Sequence, residues 1–415
     1  MPSILDKLFL LYLYIYIVCN RLEFGDISIQ KALFVCTCVG GYLYLISQRI
    51  KIEAEFFAYC VVAHVLILIL ASIGLVKGNA FENVMQFVYP VQFLLITPVL
   101  IVLFRKYGPQ RYIRHLALAS SLLAVYVCCV SVLCQYFGRR DLGDLIMMTP
   151  ALGTSISYPD GDPRVSVATG GFLAVALGFM YYFITKRRSL WSILAFITVG
   201  CALYFSKTLS ILCAGIIGVC MIGATTKERR ILGWIVITLM FGLQLHFWDA
   251  FWSYDISLQK TESITQKKRQ NELAFAIFAN KPFTGEGLGF VYNDVVFDAV
   301  SGGEGLYLES SYAMLLGSGG LVGVLGYGFI YLYYPIKVLR RRSRSGYVRM
   351  FFIAVVVVMV ASVGQVYIWT GGIGLLCVSC LAAAWYARDE SVASVSKSRK
   401  LADESRSHRL KLEFH

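Results

Sequence analysis

The sequence reads Pro282-Phe283-Thr284-Gly285-Glu286-Gly287-Leu288-Gly289-Phe290 within its longest polar interval, residues 247–318. The rest of the chain consists mainly of hydrophobic runs, and the polar interval passes directly into one of them at Tyr312. A long polar connection on a compact scaffold is uncommon unless it carries function. We therefore expect the chemistry of the protein to lie in this interval, supported by the hydrophobic runs.

The composition is that of a polytopic membrane protein. Of 415 residues, 58% are hydrophobic and only 15% are charged, whereas soluble domains carry about 25% charged residues. The net charge is +13. The excess lysine and arginine residues lie beside the hydrophobic runs and in the C-terminal tail, as positive-inside topology requires, so the charge does not indicate nucleic-acid binding. The 12 cysteines fall in or near apolar runs, which predicts no disulfide framework and no redox or zinc site.

The hydrophobic runs predict an all-α fold with about twelve transmembrane helices, since a spanning helix needs roughly 20 apolar residues. The predicted spans are 4–20, 29–48, 56–76, 84–104, 114–137, 166–185, 190–206, 208–225, 230–247, 311–336, 350–369 and 371–387.

The charges of the connections predict the orientation. With a cytoplasmic N-terminus, the cytoplasmic connections hold more than twice as many lysine and arginine residues as the short opposite ones. The chain then divides into nine spans over 1–246, a large outward (periplasmic) loop over 247–310, three spans over 311–387, and a cytoplasmic basic tail over 388–415 that we expect to be disordered.

The outward loop contains a predicted amphipathic helix, Thr261 to Lys281, which Asn280-Lys281-Pro282 ends. The glycine-rich turn that follows has a sequence similar to that of a nucleotide-binding loop. It neither follows a strand nor opens a helix, so we expect its glycines to permit a tight turn near the bilayer instead.

Several cations on the predicted outward side are not explained by topology: Arg164, Lys207, Lys268 and Arg269. Cations that converge on one face suit a phosphate or diphosphate ligand. Lys207 lies between two apolar runs, where it either contacts such an anionic group or extends to the outer interface.

Carboxylates supply the candidate bases. Glu309 precedes the tenth span, where it either stabilises the helix dipole or acts as a general base for a sugar hydroxyl. Glu286 and Glu304 are its rivals. The five histidines are scattered, and none lies between Asp249 and Thr370, so we expect neither a metal site nor a cofactor.

Four segments, in this order, resemble the O-antigen polymerase and ligase superfamily of bacterial envelopes, the Wzy-like group. They are Asp162 to Gly171 with its arginine, Phe205-Ser206-Lys207-Thr208, Arg269 to Phe290 with its proline and glycine turn, and Glu309 to Gly320 with its glycine pair. The likeness covers roughly 160–325. Two departures stand out: Lys207 replaces an arginine of many relatives, and Glu309 stands where the ligases have His-Asn, which favours a polymerase.

The resemblance implies a GT-C-like glycosyltransferase of the bacterial inner membrane that needs no metal and no nucleotide sugar. Its substrates would be undecaprenyl-diphosphate-linked glycans at the periplasmic face, joined by block transfer, and a chain-length regulator would be an expected partner. Arg164, Lys207, Lys268 and Arg269 would bind the diphosphate, and Glu309 would take the acceptor proton. Glu286, Glu304, Tyr292 and Tyr312 are candidate acceptor or sugar contacts.

Two alternatives remain. A ligase of the same superfamily would move the glycan to lipid A core, and a transporter or flippase would move the lipid-linked glycan across the membrane. Against transport, the spans are nearly free of charge and no internal repeat is evident.

Overall fold

The computed structural model describes most of the hydrophobic runs and part of the polar interval. Its described residues are 2–19, 23–24, 27–50, 54–136, 154–157, 164–167, 169–187, 189–206, 208–224, 254–292, 308, 310–333, 335–337, 340, 346–363, 373–384 and 386–387. The helices are α1 (Pro2–Val18), α2 (Ile29–Ser47), α3 (Ala54–Val76), α4 (Phe81–Val88), α5 (Thr97–Tyr107), α6 (Pro109–Tyr136), α7 (Gly171–Arg187), α8 (Leu190–Phe205), α9 (Leu209–Gly223), α10 (Tyr254–Asn280), α11 (Ser311–Gly328), α12 (Gly346–Ala361) and α13 (Ile373–Ala384).

Within the described ranges, five helical segments are long and apolar enough to cross a membrane, and the chain is therefore a mostly helical, membrane-embedded protein. They are Ile29–Ser47, Ala54–Val76, Phe81–Tyr107, Pro109–Gln135 and Ser311–Lys337. Five shorter apolar helices add to them, namely Gly171–Lys186, Leu190–Phe205, Ser210–Gly223, Gly346–Ala361 and Ile373–Ala384. The predicted span over 230–247 lies outside the described residues. The full set of twelve spans stays a prediction.

In the part of the chain that the structure describes, two short antiparallel hairpins accompany the helices. Strands β1 (Glu23–Phe24) and β2 (Ile27–Ser28) pair before α2, and β3 (Thr154–Ser157) pairs with β4 (Arg164–Val167) before α7. The predicted start of the sixth span at residue 166 is therefore wrong, because the helix begins only at Gly171. Val165 and Val167 alternate with polar residues and are both buried, the pattern of a strand with one covered face.

Of the five long apolar segments, Phe81 to Tyr107 is the most buried. It is not one regular helix: α4 passes through a 3₁₀ stretch, Tyr89–Ile96, into α5. Pro90 and Pro98 each lie in the first turn of the part they begin, where a missing backbone N–H leaves no helical hydrogen bond unmade. The segment contacts α2 and α3, so it forms the centre of this part of the helix bundle.

Contacts between helix ends divide the bundle into two faces. At one end, Thr169 Oγ1 donates to Ile17 O at 2.7 Å, and the backbone N–H of Ser311 donates to Ser362 O at 3.2 Å. Lys77, after α3, also contacts Thr284 at this end, which we call the Lys77 face.

At the opposite end, the Asp6 face, two ion pairs lie among the described side chains. Arg111 binds buried Asp6 at 2.6 Å, and Lys337 pairs with Glu55. These contacts join helix ends that would lie on the same side of the membrane if successive spans alternated in direction. They therefore agree with the alternation that the sequence predicts.

Candidate functional site

Helix α11 is broken at Gly320, and the glycine-rich turn fills the break. Gly320 has φ 57° and ψ −157°, which is not helical. The N–H groups of Leu321 and Val322, just after the break, donate to Pro282 O at 2.8 Å and to Phe283 O at 3.0 Å. The turn therefore satisfies donors that would otherwise lack a partner at the start of the second half of α11.

The turn itself depends on left-handed glycines. Gly285, Gly287 and Gly289 have φ values of 53°, 88° and 82°, a region that other residues rarely adopt. The N–H of Glu286 donates to Gly317 O at 2.9 Å. A Cβ atom on Gly285 would collide with that same Gly317 carbonyl. The sequence prediction that these glycines permit a tight turn is confirmed.

Two polar residues that follow α3 hold the other side of the turn. Lys77 Nζ donates to Thr284 Oγ1 at 2.8 Å and to Gly285 O. The Asn79 Nδ2 amide lies 3.1, 3.2 and 2.9 Å from the carbonyl oxygens of Glu286, Gly287 and Leu288. Four successive carbonyl groups are thus bound by one ammonium and one amide group, and the turn is fixed between α3 and α11.

Replacing Asn79 with aspartate is expected to destabilise this arrangement. A carboxylate has no N–H to donate and would face three carbonyl oxygens, so hydrogen bonds worth about 1 kcal/mol each would be lost and repulsion added. The midpoint of thermal unfolding, measured by size-exclusion fluorescence, should fall well below that of the wild type. Glu82→Gln, at an exposed position nearby, is the control. Equal midpoints for Asn79→Asp and Glu82→Gln would contradict the prediction.

Helix α10 confirms the helix predicted over Thr261 to Lys281, and it ends at Asn280, before Pro282. Its apolar face packs on α11, with Ala274 fully buried against Gly317. Ala274 of α10 contacts Gly317, and Pro282, just after α10, contacts Leu321 further along α11. The two helices therefore run side by side in the same direction, and Arg269 lies towards the N-terminal end of α11.

The cations of α10 are open to solvent. Arg269 and Lys268 are both exposed, and Lys268 Nζ lies 3.8 Å from a carboxylate oxygen of Glu272, one helical turn later. Exposed pairs of this kind contribute little to stability. Arg269 and Lys268 are therefore accessible to an anionic ligand on this surface.

The N-terminal end of α11 is anchored as well as capped. Ser310 Oγ accepts from the N–H of Ala313 at 3.4 Å, and Tyr312 donates from its hydroxyl to Met359 O at 2.8 Å. The hydroxyl of Tyr312, a predicted sugar contact, is thus engaged with α12. The positive end of the α11 dipole points towards the residues that precede it.

Two other predicted contact residues have internal partners. Lys281 Nζ binds both carboxylate oxygens of Glu286 at 2.7 Å. Tyr292 is 1% exposed and its hydroxyl lies 3.4 Å from Met314 O, and burial raises the pKa of this phenol. This placement makes Tyr292 a packing residue and does not support a contact with sugar.

The remaining predicted residues are described only in part. Arg164 opens strand β4 opposite Ser157, and its side chain is outside the described part. Lys207, Glu304 and Glu309 lie outside the described residues, so their predicted roles stay predictions. In the described ranges, no group of three His, Cys, Asp or Glu side chains could hold a metal ion.

Sequence reasoning missed Lys77 and Asn79. Both lie more than two hundred positions before the turn that they bind, so no local pattern links them to it. The available signal was the polar pair Lys77 and Asn79 just beyond an apolar span, on the outward side.

The sequence matches no known family model, and it matches no curated protein either.

Proposed function

We propose that this protein is a membrane glycosyltransferase that polymerises lipid-diphosphate-linked oligosaccharide repeat units at the Lys77 face, which is the periplasmic face of a bacterial inner membrane. The proposal follows the motif order that resembles the Wzy-like polymerases. It includes a GT-C-like arrangement of about twelve spans.

The placement of α10 beside α11 is the structural observation that supports the proposal. The glycine-rich turn, lodged in the break of α11, holds α10 beside α11. Exposed Arg269 and Lys268 are thereby positioned on the side of the bundle where α11 begins. Glu309 immediately precedes the cap residue Ser310. A cationic surface and a carboxylate near one helix start are the two components that this reaction requires.

The proposed reaction is a single displacement. The hydroxyl of the acceptor sugar attacks the anomeric carbon of the donor, a new glycosidic C–O bond forms, and the bond to the diphosphate breaks. Glu309 takes the hydroxyl proton. Arg269, with Lys268, Arg164 and Lys207, binds the diphosphate as negative charge develops on it, so that the lipid diphosphate leaves as a stabilised anion.

The test is a polymerisation assay with purified full-length protein in nanodiscs and a lipid-diphosphate-linked repeat unit. The wild type should give a ladder of products that Glu309→Gln loses while its unfolding midpoint is unchanged. A ladder that persists in Glu309→Gln would reject that residue as the base and leave Glu304 or Glu286. Transfer to lipid A core without a ladder would identify a ligase, and no transfer to either acceptor would reject the enzymatic function.

A further inference from the structure

A groove on the lipid-facing side of α3 ends at Lys77, whose ammonium group binds the glycine-rich turn. The groove has a volume of about 480 Å³. Its wall is a stripe of residues at helical spacing, Val65, Leu68, Ile69, Ser72, Ile73 and Val76, and its end is closed by Lys77 and Thr284. Within the stripe only Ser72 is polar, and Leu68 and Val76 are among its exposed residues.

The dimensions of the stripe match one hydrocarbon chain of a bilayer leaflet. At about 1.5 Å per residue, α3 extends roughly 16 Å from Val65 to Val76. Half of a hydrocarbon core about 30 Å thick is about 15 Å. A chain lying along the stripe would therefore have its headgroup level with Lys77.

Among the described residues, the three charged side chains at this end, Lys77, Lys281 and Glu286, sum to one positive charge. Lys281 is neutralised by Glu286, which it binds at 2.7 Å through both oxygens. Lys77 donates to a hydroxyl and a carbonyl and forms no ion pair within the part of the chain that the structure describes. Two of its three N–H groups are used, so one remains for a further acceptor.

We propose that this groove binds an anionic glycerophospholipid, with one acyl chain along the α3 stripe and the phosphodiester on Lys77. The net single positive charge of Lys77, Lys281 and Glu286 matches the single negative charge of a phosphodiester better than the greater charge of a diphosphate. Desolvation lowers the pKa of Lys77 in the lipid-free protein, while the carboxylate of Glu286 raises it and the nearby Lys281 lowers it. A bound phosphate would favour the charged form. The site is separate from the proposed diphosphate contacts and does not depend on the proposed function.

Native mass spectrometry of the full-length protein tests the site, with phosphatidylglycerol and phosphatidylcholine of identical chains supplied in equal amounts. The wild type should retain one phosphatidylglycerol in preference to phosphatidylcholine. Lys77→Gln should reduce that preference about fivefold, the factor expected for one lysine at an anionic surface. Lys77→Arg should restore it, and Lys186→Gln, at an exposed lysine of α7, should leave it unchanged.

A second variant separates lipid binding from the structural role of Lys77. Ser72→Trp fills the groove at an exposed position without touching the bonds that Lys77 makes to the turn. It should lose the retained lipid while keeping the wild-type unfolding midpoint. Equal retention of both lipids by the wild type would overturn the proposal, and so would unchanged retention in Lys77→Gln and Ser72→Trp. Preferential binding of a polyprenyl diphosphate, offered with phosphatidylglycerol in a parallel sample, would also overturn it.

Discussion

Replacing Gly320 with alanine is expected to lower the stability of this protein more than any other single methyl addition in α11. The backbone of Gly320, at φ 57° and ψ −157°, lies in a region that is essentially restricted to glycine, and another residue is strained there by about 1–3 kcal/mol. An added Cβ would also lie 2.6 Å from the Phe283 carbonyl group and from the N–H nitrogen of Thr284.

The two causes add. To relieve the contact, the glycine-rich turn would have to leave the break and give up its bonds to Leu321 and Val322, each worth about 1 kcal/mol. We therefore expect a loss of about 3 kcal/mol or more, large among single substitutions. The measurement is the midpoint of thermal unfolding in detergent, together with the fraction of monodisperse protein after purification.

Gly328 is the matched control in the same helix. A Cβ there would meet nothing within 4 Å, and alanine is a better helix former than glycine by roughly 0.5–1 kcal/mol. Gly328→Ala should therefore keep or slightly raise the midpoint. If Gly320→Ala and Gly328→Ala unfolded at the same temperature, the insertion of the turn into α11 would not be a structural requirement.

The sequence was sufficient for features that depend on local physics. Apolar runs of bilayer length correctly predicted the positions of α2, α3 and α6. Pro282 predicted the end of α10, because proline cannot continue a helix. The glycines of the turn were recognisable for the same local reason, since few other residues accept a positive φ.

The break in α11 and the residues that hold the turn could not be predicted in this way. Gly319 and Gly320 lie in an apolar run that reads as one span, because hydropathy reports the surrounding solvent and not the partner of each N–H group. Lys77 and Asn79 contact the turn only after the bundle has formed. The strand over Arg164–Val167 was missed in part because the prediction gave Ser166 and Val167 to the following span.

Under the proposed function, replacing Arg269 with alanine is expected to reduce polymerisation of the lipid-linked repeat unit about 100-fold or more, at unchanged stability. Loss of one donor to a developing anion typically costs about 10² to 10³ in rate. Arg269 is exposed, so its side chain contributes little to packing and the unfolding midpoint should stay at the wild-type value. The measurement is the initial rate of ladder formation in nanodiscs.

Two further variants serve as comparisons for Arg269→Ala. Arg269→Lys keeps the charge but loses the paired, planar donors that bind two phosphate oxygens at once, so it should recover only part of the rate. Arg114→Ala removes an exposed arginine from α6, on the helix that carries Arg111 of the Asp6 face, and should leave the rate unchanged. A wild-type rate in Arg269→Ala would mean that α10 does not contribute to the proposed diphosphate site. An equal loss in Arg114→Ala would mean that the assay responds to net charge and not to a ligand held beside α11.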